Sequence, residues 1–301
     1  MNHLDLVKLT ALMELTSGSP RIMVGLIDGP VVMNHLDIVS ENIREIPGKL
    51  SGTCAQASSA ACMHGTFVAG ILCAKRNSPA PAICPNCTLL VRPIFAEASS
   101  GNGQTWSERV ENMPSATPDE LAEAIIDCIN AGARVINLSA ALAQPSTKGE
   151  HKLEQALDYA ARRGVIVVAA AGNQGMIGSS AITRHPWVIP VVACDIQGRP
   201  ISYSNLGNSI GRRGLSAPGE GVTSLGAEGK PLTLGGTSVA APFVTGTIAL
   251  LWSEFPDANA AQVKLAVTQT YTSRRPTVVP PLLDAWRAYR VMPLLSSRRE
   301  S

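Results

Sequence analysis

Short, unbroken runs of apolar residues alternate with longer helix-like segments along most of the chain. The apolar runs lack polar alternation, which is typical of strands that are covered on both faces. They predict strands at residues 22–27, 88–93, 134–138, 165–170 and 188–193. The longer segments predict helices at residues 64–75, 118–131, 149–163 and 237–252.

This alternation predicts an α/β fold with a mostly parallel sheet and helices on both faces. No internal repeat or long linker divides the chain, so we expect one main domain. In sheets of this kind, sites form outside the carboxyl ends of the strands. Polar residues that follow the predicted strands are therefore the first candidates for function.

Composition and charge exclude several classes of function. The 301 residues are 45% hydrophobic and 16% charged, which is typical of a globular protein. The net charge is only +2 and no dense basic run occurs, so we expect no nucleic-acid partner. Apolar runs such as residues 165–171 fall short of the roughly 20 residues that span a bilayer, so we expect no membrane partner. The first 18 residues show no secretory signal, which suggests a cytoplasmic protein.

The seven cysteines are too few for a disulfide scaffold at this length, and their number is odd. Cys84 and Cys87 form a CxxC pair, but nothing completes a zinc set. A loop disulfide or two reduced thiols is therefore favoured over a metal site. Cys54 and Cys62 flank a segment rich in serine and alanine and could also pair across a loop. The sequence leaves both pairings open.

Asp28 and His64 are candidates for proton-transfer chemistry, although each has a structural alternative. Asp28 ends the first predicted strand, where a desolvated carboxylate needs a partner, but a turn or helix-capping role would also explain it. His64 opens a predicted helix that contains Gly65 and Gly70. Histidine is the commonest general base near neutral pH, whereas a lone histidine is more often structural.

Ser238 and Asn173 are candidates for acyl-transfer chemistry. Ser238 follows two glycines that let the chain turn sharply into a helix, which places the serine beside free N–H groups. It could equally be a simple helix cap. Asn173 follows a predicted strand, where its amide could serve a turn or donate a hydrogen bond to an oxyanion.

In chain order the candidates are Asp28, His64 and Ser238, which is the order found in subtilisin. The absence of a GxSxG motif argues against an α/β-hydrolase. From about Arg21 to Gln269, the chain resembles the subtilisin-like serine proteases. The resemblance is carried by LIDG at 26–29, HGT at 64–66, AAGN at 170–173 and GTSVAAP at 236–242.

The resemblance implies a three-layer subtilisin-like fold and a serine endopeptidase activity. Ser238 would be the nucleophile, His64 the general base and acid, and Asp28 the residue that orients the imidazole. Asn173 and the Ser238 backbone amide would bind the oxyanion. An extended peptide would pair with two segments that look like the family's substrate walls: Ser139, Ala140 and Ala141 on one side, and Ala171 and Gly172 on the other.

A narrower likeness concerns DGPV at 28–31, VRPIFAE at 91–97 and Cys87. These features resemble the cyanobactin maturation proteases, which cut leader sequences from ribosomal precursor peptides. The likeness implies that the substrate is a segment of such a precursor. Within enzymes, the alternative is a broad-specificity degradative protease. Outside enzymes, the alternative is a noncatalytic peptide-binding module.

No cofactor is expected. Asp37 and Asn77 fall where some subtilisins place calcium ligands, but calcium needs about six to eight oxygens, so a surface acid and a turn amide are favoured.

The expected organisation is an N-terminal extension at 1–20, a catalytic domain at 21–271 and a C-terminal tail at 272–301, either a strap or a frayed end. The polar loop at 97–117 is either a surface connection or a substrate-contacting flap. The sequence does not predict an oligomeric state.

Overall fold

The computed structural model describes residues 2–97, 116–140, 150–268 and 277–296. Within these ranges, seven strands form one sheet in the order β2-β3-β1-β4-β5-β6-β7, and every neighbouring pair is parallel. The other two strands form an antiparallel pair. The strands are β1 (Met23–Asp28), β2 (Ile43–Glu45), β3 (Thr88–Pro93), β4 (Val135–Leu138), β5 (Ile166–Ala170), β6 (Val188–Cys194), β7 (Leu215–Pro218), β8 (Val222–Ser224) and β9 (Leu232–Leu234).

The described helices include all four that the sequence predicts. They are α1 (His3–Leu6), α2 (Leu9–Leu15), α3 (Ala60–Cys73), α4 (Pro118–Asn130), α5 (His151–Arg163), α6 (Ala181–Arg184), α7 (Asn208–Arg213), α8 (Thr237–Glu254), α9 (Ala260–Thr268) and α10 (Ala285–Ser296). The helix α3 begins four residues before the predicted start at residue 64. It begins there because the Ser59 side chain accepts a hydrogen bond from Cys62 N and so caps the first turn.

Side chains of the central strands alternate between two cores, one on each face of the sheet. Leu26 of β1 belongs to the core that contains residues of α3 and α8, whereas its neighbour Ile27 belongs to the core that contains residues of α4 and α5. The same alternation occurs in β4, where Val135 and Ile136 lie on opposite faces. Because both faces are covered, the central strands consist mainly of apolar residues. This arrangement confirms the predicted three-layer α/β fold.

The two ends of the described chain pack against each other. Ala285 N donates to Val7 O at 2.9 Å, and Lys8 Nζ lies 2.5 Å from Asp284 Oδ2. The described part of the predicted tail therefore contains a helix docked on the core, in which Ala288 is fully buried. The predicted domain boundaries at residues 20 and 271 stay predictions. Among the helices in the described ranges, none has the length and hydropathy needed to cross a membrane.

Candidate active site

The end of β1 and the first turns of α3 lie in direct contact. Asp28 is the last residue of β1, and His64 lies inside α3. A Cβ atom at Gly65 would be 2.4 Å from Gly29 O and 2.5 Å from Pro30 O, so only glycine permits this approach. The HGT motif therefore explains how a strand end and a helix come close enough for Asp28 to reach His64.

The structure brings Asp28, His64 and Ser238 together from three distant segments. His64 Nδ1 is 2.7 Å from Asp28 Oδ1, and His64 Nε2 is 2.9 Å from Ser238 Oγ. With the proton on Nδ1 donated to the carboxylate, Nε2 is free to accept the Ser238 hydroxyl proton. All three side chains are buried, and Asp28 is fully so.

The Asp28 carboxylate is held from one side. Its Oδ1 accepts hydrogen bonds from Gly29 N at 2.6 Å and from His64 Nδ1, whereas Oδ2 is buried and has no hydrogen-bond partner among the described residues. Burial lowers the pKa of His64, but the charge of Asp28 and its hydrogen bond raise this pKa by more, so the net pKa lies above the ordinary value of 6.5. The carboxylate therefore stabilises the imidazolium form of His64.

The helix α8 has no side chain at its N-cap position. It begins after Gly236, whose φ of 128° favours glycine. Thr237 N donates to Asn173 Oδ1 at 2.9 Å, and Val239 N donates to Gly236 O at 3.1 Å. Between them, Ser238 N has no acceptor among the described residues. One helical N–H group thus lies free beside the Ser238 hydroxyl.

Asn173 is oriented by Thr237. Its Oδ1 accepts from both the Thr237 backbone N–H at 2.9 Å and the Thr237 hydroxyl at 3.0 Å. Its Nδ2 makes no hydrogen bond to any described residue and lies close to Gly236, at the start of α8. The amide and the Ser238 N–H are therefore two free donors near one hydroxyl, as an oxyanion site requires. Sequence reasoning gave Thr237 no role, although its hydroxyl next to the serine of the motif was the available signal.

Ser139 and Ala171 directly follow the neighbouring strands β4 and β5, so both predicted substrate walls lie at the carboxyl edge of the sheet. Ala140 is buried, and the wall containing Gly172 is held by a hydrogen bond from Gly172 N to Thr237 Oγ1 at 3.1 Å. Ala141 lies outside the described residues, as does the predicted flap except for residues 97, 116 and 117. A pocket beside Ala171 has no charged side chain in its lining.

The described cysteines include one disulfide, between Cys54 and Cys62, next to the start of α3. Cys84 and Cys87 are buried free thiols, so the CxxC pair is two reduced thiols and not a loop disulfide. In the described ranges, the one group of three side chains of metal-binding type consists of Glu97 and the two disulfide-bonded cysteines. It includes neither calcium candidate, Asp37 nor Asn77. The expectation of no cofactor stays a prediction.

A parallel α/β sheet that brings together a carboxylate, an imidazole and a hydroxyl has the components of a serine hydrolase. The sequence profile of the subtilase family matches residues 19–282. The chain belongs to this family and is a subtilisin-like serine endopeptidase, so its substrates are peptide chains.

Comparisons with individual proteins agree with this assignment. Subtilisin DY from Bacillus licheniformis is 32% identical over 258 residues, which cover 84% of this chain and 84% of that protein. Two solved structures, a mutant of the protease domain of PatA and the prenylagaramide maturation protease PagA, match with TM-scores of 0.80 and 0.78, each at 28% identity. Each match covers 94% of this chain and 98% of the other. These likenesses confirm the predicted resemblance to cyanobactin maturation proteases.

Proposed function

We propose that Ser238, His64 and Asp28 carry out the hydrolysis of peptide bonds. The observation that supports these roles is the position of the His64 ring, which contacts the Asp28 carboxylate at 2.7 Å and the Ser238 hydroxyl at 2.9 Å. This geometry lets one imidazole accept the hydroxyl proton while the carboxylate stabilises the resulting positive charge.

The reaction begins when Ser238 Oγ bonds to the carbonyl carbon of the substrate and its proton moves to His64 Nε2. The carbonyl oxygen becomes negative and accepts hydrogen bonds from Ser238 N and Asn173 Nδ2. His64 then gives the proton to the leaving amine as the C–N bond breaks. A water molecule repeats the sequence on the acyl-enzyme, which releases the new carboxyl group and restores Ser238.

We propose that the substrate is a segment of a ribosomal precursor peptide. The support is the likeness to a prenylagaramide maturation protease over nearly the whole chain. The segment would bind extended, between Ser139 and Ala140 on one side and Ala171 and Gly172 on the other, as an added strand.

Incubation with a candidate precursor peptide, followed by mass spectrometry of the fragments, tests this proposal. Processing predicts one cut or a few cuts at defined positions, and no cut by the Ser238→Ala variant. A panel of unrelated unfolded proteins is the specificity control. General digestion of that panel would contradict the processing role and support a degradative protease.

The test for a noncatalytic peptide-binding module is labelling with a serine-directed phosphonate. We expect the wild-type protein to be labelled and a correctly folded Ser238→Ala variant to remain unlabelled. A folded wild-type protein that resists labelling would contradict the hydrolytic role and support the binding module.

A further inference from the structure

Three buried polar side chains connect α8 with the start of a proposed substrate wall. The Thr245 hydroxyl donates to Asn137 Oδ1 at 2.8 Å, and Asn137 Nδ2 donates to Ser139 Oγ at 2.8 Å. Thr245 and Asn137 are fully buried, and Ser139 is nearly so. The mechanism described above uses neither Thr245 nor Asn137.

These hydrogen bonds connect elements that carry Ser238 and Asp28. Thr245 lies seven residues after Ser238 in the same helix, so the two side chains share a helix face. Ser139 N donates to Ile27 O at 3.2 Å, beside Asp28. The backbone of Ser139 is thus bonded to the strand of Asp28, and its side chain is connected through Asn137 to Thr245 in the helix of Ser238.

Asn137 is a polar residue in an otherwise apolar strand. Its neighbours Val135, Ile136 and Leu138 are all fully buried in the two cores. A buried amide without partners is unfavourable, so Asn137 requires both Thr245 and Ser139. A satisfied polar network in a core favours one arrangement of its parts, whereas apolar contacts alone tolerate small shifts between elements.

We propose that Thr245 and Asn137 are positioning residues that hold the Ser139 wall in register with the nucleophile. This inference rests on the proposed function, in which Ser139 and Ala140 pair with an extended peptide. Loss of the network would move the wall relative to Ser238 without disturbing the contacts among Ser238, His64 and Asp28. Binding of extended peptides would weaken, and the reactivity of the Ser238 hydroxyl would not change.

The test compares Thr245→Val with Thr245→Ser and with Thr247→Val. Thr247 is a matched control because it is fully buried in the same helix, but its hydroxyl donates only to the backbone of Phe243, at 2.8 Å. Each variant is measured for kcat and KM on an extended peptide, and for the rate of labelling by a small fluorophosphonate that has no peptide portion.

We expect Thr245→Val to raise KM by roughly tenfold and to be labelled at the wild-type rate, because only the wall is displaced. Thr245→Ser keeps the hydroxyl and should restore KM to near the wild-type value. Thr247→Val should change neither measurement. An unchanged KM in Thr245→Val, or an equal effect of Thr247→Val, would overturn the inference.

Ser139→Ala keeps the inference testable if Thr245→Val does not fold. This variant removes the other end of the network, so it should raise KM to a similar extent and combine non-additively with Thr245→Val. An unchanged KM for Ser139→Ala would count against a positioning role. Failure to label the wild-type protein would contradict the proposed function. Normal labelling of the wild-type protein, with a KM that neither Thr245→Val nor Ser139→Ala changes, would contradict this inference alone.

Discussion

The two helices that carry the proposed catalytic residues begin in opposite ways. Helix α3 is capped by Ser59, whose hydroxyl accepts a hydrogen bond from Cys62 N, and His64 follows in the next turn. Helix α8 begins after Gly236 without a side-chain cap, and Ser238 is its second residue. The N-cap side chain of the first helix therefore accepts a hydrogen bond from the third residue of that helix, whereas the second helix has no N-cap side chain and Ser238 N has no acceptor among the described residues.

This difference follows from what each helix has to provide. In the proposed mechanism, His64 acts through its ring alone, so α3 needs only to be stable and close to Asp28. In the same proposed mechanism, Ser238 acts through its hydroxyl and also through its backbone N–H, which a capping side chain would occupy. A cap contributes about 1 kcal/mol to stability. The start of α8 forgoes that contribution and keeps an anion-binding position open.

Removing either reacting side chain should have the largest effect. We expect Ser238→Ala and His64→Ala each to lower kcat on the order of a millionfold, because hydroxyl and imidazole act as one unit. The double variant should lose little more than either single variant. The measurement is kcat on a peptide substrate, and additive losses would show that the two helices contribute independently.

The Asp28→Asn variant should lower kcat on the order of 10⁴-fold, because the imidazole would lose the partner that orients it and stabilises its charge. The pH dependence should change as well. Only neutral His64 accepts a proton, so wild-type kcat/KM should rise with pH, with a midpoint above 6.5, since Asp28 raises the His64 pKa. In the variant, burial still lowers this pKa but the charge is gone, so the midpoint should fall below that of the wild type.

Profiles of kcat/KM against pH for both proteins check this expectation. A control at constant ionic strength excludes a general salt effect on exposed charges. Equal midpoints in the two proteins would mean that Asp28 does not determine the His64 charge. In that case the closeness of α3 to Asp28 would not explain the role of His64.

The sequence predicts the centre of the fold well because its strands are buried on both faces. A strand such as β3 is mainly apolar, with Arg92 as its one charged residue, and its predicted bounds are those of the structure. The strand β7 and the helix α10 escape prediction because tertiary contacts define them. One example is the hydrogen bond from Ala285 N to Val7 O, between residues far apart in the chain.

The candidate site is predictable only in part, for a similar reason. Asp28, His64 and Ser238 stand in recognisable local motifs, and the family resemblance supplied their expected roles. Thr245 and Asn137 have no such motif: a threonine in an apolar helix and an asparagine in a strand look like ordinary core positions. Their hydrogen bond joins residues 108 positions apart, which no local pattern reports.

Removing the side-chain donor at the uncapped helix start should have a smaller effect than Asp28→Asn. We expect Asn173→Ala to lower kcat by about 10²- to 10³-fold with little change in KM, because the amide binds charge that develops only in the transition state. Gln174→Ala is a neighbouring control that also removes an amide. A change confined to KM would contradict the oxyanion role of Asn173.

The smallest expected effect concerns the capped helix, and it separates stability from catalysis. Ser59→Ala should lower the free energy of unfolding by about 1 kcal/mol. The turnover of the enzyme should hardly change, because the Cys54–Cys62 disulfide and a hydrogen bond from Gln56 N to Glu97 also hold the start of α3.

Thr117→Ala is the matched control for this variant. Thr117 caps α4, which carries none of the proposed site residues, and its side chain accepts from Glu120 N. Urea unfolding is measured in the Ser238→Ala background so that self-cleavage does not interfere, and kcat/KM is measured with Ser238 intact. Both variants should lose similar stability and keep their activity. If Ser59→Ala alone lowered kcat, the cap of α3 would contribute to catalysis as well as to stability. Both helix starts would then serve catalysis, despite their different hydrogen bonds.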